Sequence, residues 1–365
     1  MPRVSSAALA ALFTLAAVAT SPPSSAAGAD WPAFGRDPGG SQHSPLAAIT
    51  TRNVGQLKQV WVHRSGDFVD APLPKGTVLQ ATPLHANGTL YFCTPMNRVI
   101  ALDPATGKER WSFDPHRADP RSGRAALSPP LAMPGRCRGV AYWEGAASAA
   151  TAATVTPAAP AAPAVKPAAC ARRIFKNGDA ARIYALDADT GLPCADFGAA
   201  KGHSGYAAHT DYENHGESFA GSATSPPAVL GDLVISAMSV SDGIANAKDG
   251  MVRAFDVRTG QLRWEFDPIP ADRRNSSGAA NVWSTISVDP QLNLVFLPTT
   301  SPSTDYYGGG RLFDIPLANS IVALRGDTGE VVWSRQVVRH DLFDYDLVGH
   351  PLLVDIRRGG RVVPA

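Results

Sequence analysis

The densest concentration of reactive side chains is His340–Asp346, HDLFDYD, where Asp341, Asp344 and Asp346 share one short stretch. A carboxylate there could take a proton from a substrate or hold a hard cation. It could equally cap its own turn, a common use of aspartate in loops, and the spacing alone does not separate these readings. Trp283, in ANVWSTISVDP, offers a broad π-face on which a planar ring could stack, although a core tryptophan has the same local sequence. His203, His209 and His215 recur at intervals of six, which suits neither one helix face nor a zinc loop, so they read as solvated loop histidines. Cys93, Cys137, Cys170 and Cys194 contain no C-x-x-C pair and no C-x-x-C-H haem-attachment motif.

What must position these groups is legible as a repeat. Val99–Pro115, VIALDPATGKERWSFDP, carries A-L-D-x-x-T-G-x-x-x-W, ending on Trp111. IYALDADTGLPCADFG follows the pattern but has Ala195 in the tryptophan's place, VRAFDVRTGQLRWEFDP ends on Trp264, and IVALRGDTGEVVWSRQV ends on Trp333 with Arg325 for the aspartate. Each copy predicts a hairpin: a β-branched run, a turn in which Asp bonds its own backbone and Gly accepts positive φ, then a second strand. Repeats of this kind cannot bury their faces singly, and four-stranded sheets arranged radially make a β-propeller in which the periodic tryptophan wedges against the next blade. The fold class is therefore all-β, with about four blades in residues 30–365. A sandwich with similar hairpins is the alternative.

Residues 1–29 read as a secretory signal peptide: Met1-Pro2-Arg3, an apolar run from Ala7 to Ala19, then small-residue cleavage sites after Ala27 or Ala29. No other stretch approaches the length of a membrane span, so a periplasmic or secreted protein without a transmembrane segment in its mature part is expected, an uncleaved anchor being the alternative. The net charge of +1, with both signs interspersed, offers no nucleic-acid footprint. Residues 144–169, rich in alanine but broken by Pro157, Pro160, Pro163 and Pro167, read as a disordered insertion; four cysteines allow three pairings that the sequence does not separate, and Cys137 with Cys170, which bracket the insertion, is the one expected. VGQLKQVWVH, residues 54–63, looks like the second half of a repeat and is expected to be a strand completing the last blade of a ring.

The opening WPAFGRDPGGSQHSPLAAITTRNVGQLKQVW, the repeats, CRGVAY at 137–142, TSPP at 224–227 and HDLFDYD together resemble the pyrroloquinoline-quinone-dependent dehydrogenases, most of all their glucose dehydrogenase branch. The resemblance implies an eight-bladed propeller of which this chain holds about the N-terminal half, and oxidation of a sugar or other alcohol by hydride transfer to the quinone, with electrons passed to a quinone or other external acceptor. It further implies Asp344 as the base, Trp283 as the ring under the cofactor, and Arg138, Thr224 and Ser239 as cofactor contacts. Asp242, with Asp344 sharing, would hold a divalent cation, calcium or magnesium.

Three positions depart from the family pattern. Gly243 follows Asp242 where the glucose branch tends to carry asparagine, Ser301 replaces an asparagine ligand of the alcohol-oxidising branch, and Pro134 stands where a histidine near the substrate is usual. The metal and the substrate therefore stay open. The resemblance also places a cofactor-contacting lysine beyond Ala365, so the chain by itself is expected to be inactive. The competing function is a non-catalytic propeller scaffold of the outer-membrane assembly type, which would have no need of a base, a stacking ring and an ion ligand together.

Overall fold

The computed structural model describes residues 30–365 apart from 73–75, 122, 124, 128–134, 146–168, 179–180, 213–223, 245–246 and 248–249. The leader, almost all of the Ala/Pro insertion, Pro134 and His215 lie outside the described residues.

Four antiparallel sheets of four strands follow one another along the chain. The first contains β1 (Leu84–Ala86), β2 (Thr89–Cys93), β3 (Val99–Leu102) and β4 (Glu109–Phe113); the second β5 (Ala141–Glu144), β6 (Arg172–Asn177), β7 (Arg182–Asp187) and β8 (Tyr206–Ala208). The third contains β9 (Ala228–Leu230), β10 (Leu233–Ala237), β11 (Val252–Asp256) and β12 (Leu262–Phe266); the fourth β13 (Ser287–Asp289), β14 (Leu294–Pro298), β15 (Ser320–Arg325) and β16 (Val331–Gln336). A hairpin, β17 (Asp355–Arg358) with β18 (Arg361–Pro364), closes the chain. The first strands of successive sheets lie side by side, β1 by β5, β5 by β9 and β9 by β13, so the sheets fan about an axis as propeller blades. Middle strands such as β3 and β10 are buried on both faces because each sheet is covered by its neighbours, which explains their continuous apolar runs.

The repeat motif explains how blades lock. Asp103 Oδ1 accepts from the backbone N–H and the hydroxyl of Thr106, both at 2.9 Å, and the turn closes through Gly107 N–H to Asp103 O at 2.8 Å. Asp187 and Asp256 repeat this with Thr190 and Thr259. At Arg325 the carboxylate is missing, yet Gly329 N–H still reaches Arg325 O at 2.8 Å, so the backbone turn survives without it. The tryptophan of one blade then covers the turn of the next: Trp111 lies against Gly191 and donates to Ala188 O at 3.0 Å, and Trp264 lies against Gly329 and donates to Gly326 O at 2.8 Å.

Five expectations need correction. Trp333 is not wedged but 44% exposed, since among the described residues no turn of a following blade covers it. In the second copy the tryptophan is not simply lost: Phe197, fully buried, stands against Gly260 instead, and after its turn β7 keeps only a short bridge, Leu186 opposite Pro193, its strand partner being β8 further on. Residues 57–63 are not a strand, pairing with no sheet among the described residues, although Trp61 does cover Gly107 and donates to Pro104 O at 3.1 Å. The disulfides are Cys93–Cys137 and Cys170–Cys194, not Cys137–Cys170. The ends of the insertion are already joined as paired strands, Glu144 opposite Arg172, which leaves Cys137 beside the end of β2 and Cys170 beside the turn region after β7, with Cα separations of 6.0 and 5.9 Å within disulfide reach. Finally, His209 is fully buried rather than solvated, bonded to Ser236 Oγ at 2.8 Å and to Arg253 at 3.2 Å, and His203 pairs with Asp211 at 2.8 Å.

The opening segment crosses the inner ends of the blades. Trp31 pairs with His85 in β1, Pro38 O accepts from Val288 in β13 at 2.9 Å, and Gly39 O accepts from Leu353 at 2.9 Å. It thereby ties the first blade to the fourth and to the stretch that follows HDLFDYD.

Candidate functional site

Two loops meet beyond the fourth blade: Ser301–Arg311, after β14, and His340–Asp346, after β16. The three aspartates of the second loop have three different jobs. Asp341 is buried and accepts from Ser301 Oγ, from Asn319 Nδ2 at 3.1 Å, and from the N–H groups of Phe343 (3.0 Å) and Tyr345 (2.6 Å). Burial alone would raise its pKa, but these donors outweigh it and hold the carboxyl below the usual range. Buried Arg311 adds a donor to the carbonyl of Asp341 and another to Thr304 O at 3.1 Å. Asp346 accepts from the Trp283 indole N–H at 2.6 Å and from Ser301 N–H at 2.8 Å, so it fixes the ring. Ser301 thus organises the loop, bridging Asp341 and Asp346.

Asp344 lies between these anchors with a left-handed φ of 59°, a conformation aspartate tolerates better than most residues. Its Oδ2 accepts from the Tyr306 hydroxyl at 3.0 Å, and Oδ1 is buried without a hydrogen-bond partner. Burial, with Asp242 and Asp341 nearby, raises its pKa, against the Tyr306 hydrogen bond. Asp242, Asp305 and Asp344 each bring one carboxylate oxygen within 4.8 Å of the others. Asp305 is only 4% exposed, its Oδ1 has no partner, and burial together with the charges of Asp242 and Asp344 pushes it up to about 7. Oxygen donors crowded against their own repulsion, two of them buried and unpaired, fit a hard cation. Asp305 had not been singled out in the sequence. The signal was there, a third carboxylate four residues past Ser301, but only the folded loop brings it to Asp242 and Asp344.

The other residues form a cradle beside this cluster. The Arg138 guanidinium lies over the Trp283 ring, 4.6 Å from its centroid, and donates to Trp283 O at 3.2 Å. Thr224 Oγ donates to the same carbonyl at 3.3 Å. Burial, then the charge of Arg136, lowers the pKa of Arg138. Ser239 is half-buried just beyond β10 and bonds to none of these groups. The fold therefore assembles Arg138, Thr224 and Trp283 in one place and Asp242, Asp305 and Asp344 in another, with Asp346 linking the two.

A pH dependence follows. Asp305 titrates near 3.8 when unfolded and near 7 when folded without a cation, so between these values the folded state binds more protons. Stability contributed by this group is complete below about 3.8 and is lost as pH rises through about 7, while the affinity of the cluster for any hard cation would rise over the same upper range as the carboxyl deprotonates. Thermal melts and calorimetric calcium titrations on either side of neutrality check this. A calcium affinity flat with pH would contradict it.

Comparison with known proteins places the fold in a family. Residues 31–365 match a family described as PQQ: Glucose/ethanol/alcohol dehydrogenase, beta-propeller domain. The chain is 34% identical over 347 residues to quinoprotein glucose dehydrogenase A of Acinetobacter calcoaceticus, covering 92% of this chain and 41% of that protein. It is 36% identical over 345 residues to quinoprotein glucose dehydrogenase of Escherichia coli K12, covering 92% of this chain and 40% of that one. The chain thus spans about two-fifths of the length of these relatives. The crystal structure of quinohemoprotein alcohol dehydrogenase from Comamonas testosteroni superposes with a TM-score of 0.65 at 23% identity, covering 93% of this chain and 46% of that one, and shares the blade arrangement. With radial four-stranded sheets and a family match over almost the whole described chain, this protein belongs to the PQQ-dependent glucose/ethanol/alcohol dehydrogenase β-propeller family.

Proposed function

We propose that this chain supplies the base, the cation site and one wall of the cofactor cradle of a quinoprotein oxidoreductase that oxidises a sugar or other alcohol. The observation that carries the reading is the convergence of Asp242, Asp305 and Asp344 on one point, next to an indole fixed by Asp346. Pyrroloquinoline quinone, when bound, supplies the hydride acceptor. Trp283 offers the flat face for a planar ring, and the Arg138 guanidinium and the Thr224 and Ser239 hydroxyls are donors suited to a tricarboxylate and its carbonyls. Asp242 and Asp305, with Asp344 sharing, would hold calcium or magnesium, and the ion would supply Lewis acidity beside the base. Asp344, with one oxygen free of protein donors, takes the substrate's hydroxyl proton.

The protein works in the periplasm or as a secreted protein: residues 1–29 have the form of an export signal, and two disulfides among the described residues suit an oxidising compartment. No helix among the described residues is long and apolar enough to cross a membrane. Electrons leave to a quinone or other external acceptor.

Trp283→Ala tests the cradle. It should weaken quinone binding by up to roughly tenfold, consistent with about 0.5–1.5 kcal/mol for losing an aromatic stacking partner, and leave calcium affinity within about twofold. Quenching titrations with the quinone and calorimetry with calcium read the two separately. Unchanged quinone affinity would remove Trp283 from the cradle.

A further inference from the structure

We infer that Tyr306 is a positioning residue for Asp344, its hydroxyl setting the direction in which the carboxylate faces the acidic cluster. The inference rests on the reading of Asp344 as the base and adds a residue to it.

The backbone around Asp344 is already held. Phe343 and Tyr345, its two neighbours, both donate their N–H groups to Asp341, and Asp346 is tied to Ser301 and Trp283. What those bonds leave unset is the side chain of Asp344 itself. Among the described residues one hydrogen bond holds that carboxylate, the one from Tyr306 to Oδ2 at 3.0 Å. With Oδ2 held, Oδ1 turns inward to its buried place, which brings Asp344 into the group with Asp242 and Asp305. The phenol reaches this position because the chain direction alternates: Asp305 points into the cluster, 4% exposed, while the adjacent Tyr306 is 70% exposed and bends its hydroxyl back over Asp344. One dipeptide therefore supplies both a member of the cluster and the restraint on another member. The arrangement answers a physical problem: a carboxylate repelled by two others turns outward unless a donor holds it.

The test is a double-mutant cycle on the 365-residue chain, read by calcium calorimetry, together with fluorine NMR of 3-fluorotyrosine placed at position 306. Tyr306→Phe removes only the hydroxyl and should weaken calcium binding about tenfold in the wild-type background, as expected for losing one hydrogen bond to a charged group. In the Asp344→Ala background the same change should alter affinity less than about twofold, because the group to be positioned is gone. Asp344→Asn, whose backbone tolerates positive φ, serves as a second background. The fluorine resonance at 306 should move on Asp344→Ala, while one placed at Tyr307 stays put. Equal losses in both backgrounds, or an unmoved resonance at 306, overturn the proposal. A wild-type chain that binds no calcium while the resonance at 306 still moves keeps the positioning contact and discards the cation reading, so the two failures are told apart.

Discussion

Asp344→Asn should lower turnover by about two to four orders of magnitude while leaving quinone binding nearly unchanged, the range expected when a positioned general base loses its ability to accept a proton. The amide keeps the size and shape of the carboxyl and can occupy the same left-handed backbone, so the loop held by Asp341 and Asp346 should persist. Because Oδ2 of Asp344 accepts from Tyr306, the substituted amide can keep that hydrogen bond through its own oxygen and present its nitrogen where Oδ1 had been. The loss should therefore fall on kcat with KM little altered. Calcium affinity should drop as well, since one of three carboxylates becomes neutral, and saturating calcium separates this from the loss of the base. The measurement is steady-state dye reduction at saturating calcium and quinone, in a version extended to the length of the relatives, of which this chain spans about two-fifths. Wild-type turnover in the variant would remove Asp344 from the mechanism.

The blades were readable because their signal is local and repeated: an apolar run, a turn fixed by Asp, Thr and Gly, and an aromatic at constant spacing. The same reading went wrong where a contact is made across blades. Phe197 takes the place of a tryptophan in the second copy because the turn at Gly260 needs an aromatic cover, and nothing in the spacing requires it at the expected position. The disulfides escaped for a similar reason. Cys93 and Cys137 are brought together by the packing of the first blade on the segment before the second, while the bracketing of an insertion suggested a link that strand pairing had already made. At the site, resemblance pointed to Asp344, Asp242, Trp283, Arg138 and Thr224, and the fold brings these into two adjoining groups. Asp305 and Tyr306 were not legible, because their meaning depends on a loop crossing another loop, not on their neighbours in sequence. The roles of Asp341 and Asp346 were hidden too: three aspartates in seven residues look alike, and only their partners distinguish a loop clamp, a base and a holder of the indole.

Trp264→Ala should destabilise the protein by about 3–5 kcal/mol, the usual cost of removing a buried large aromatic, whereas Trp333→Ala should cost less than about 1.5 kcal/mol although it occupies the same place in the repeat. The difference lies in what covers each ring. Trp264 is 6% exposed, packs on Gly329 of the next blade and satisfies its indole N–H on Gly326 O, so truncation both empties a packed space and leaves a carbonyl without its donor. Trp333 is 44% exposed, touching Phe296 in its own blade at 6.0 Å between ring centroids. The converse change is equally telling. A Cβ added to Gly329 would lie 2.7 Å from the Trp264 ring on a backbone with φ of 74°, so Gly329→Ala combines a clash with left-handed strain and should cost about 2–4 kcal/mol. In a Trp264→Ala background the clash disappears and only the strain of about 1–2 kcal/mol should remain, so the two substitutions should be less than additive. Urea unfolding of the four variants decides it. Equal losses for Trp264→Ala and Trp333→Ala would mean that the interlock between blades is not what the tryptophans contribute, and full additivity of Trp264→Ala with Gly329→Ala would mean that ring and turn do not press on each other in solution.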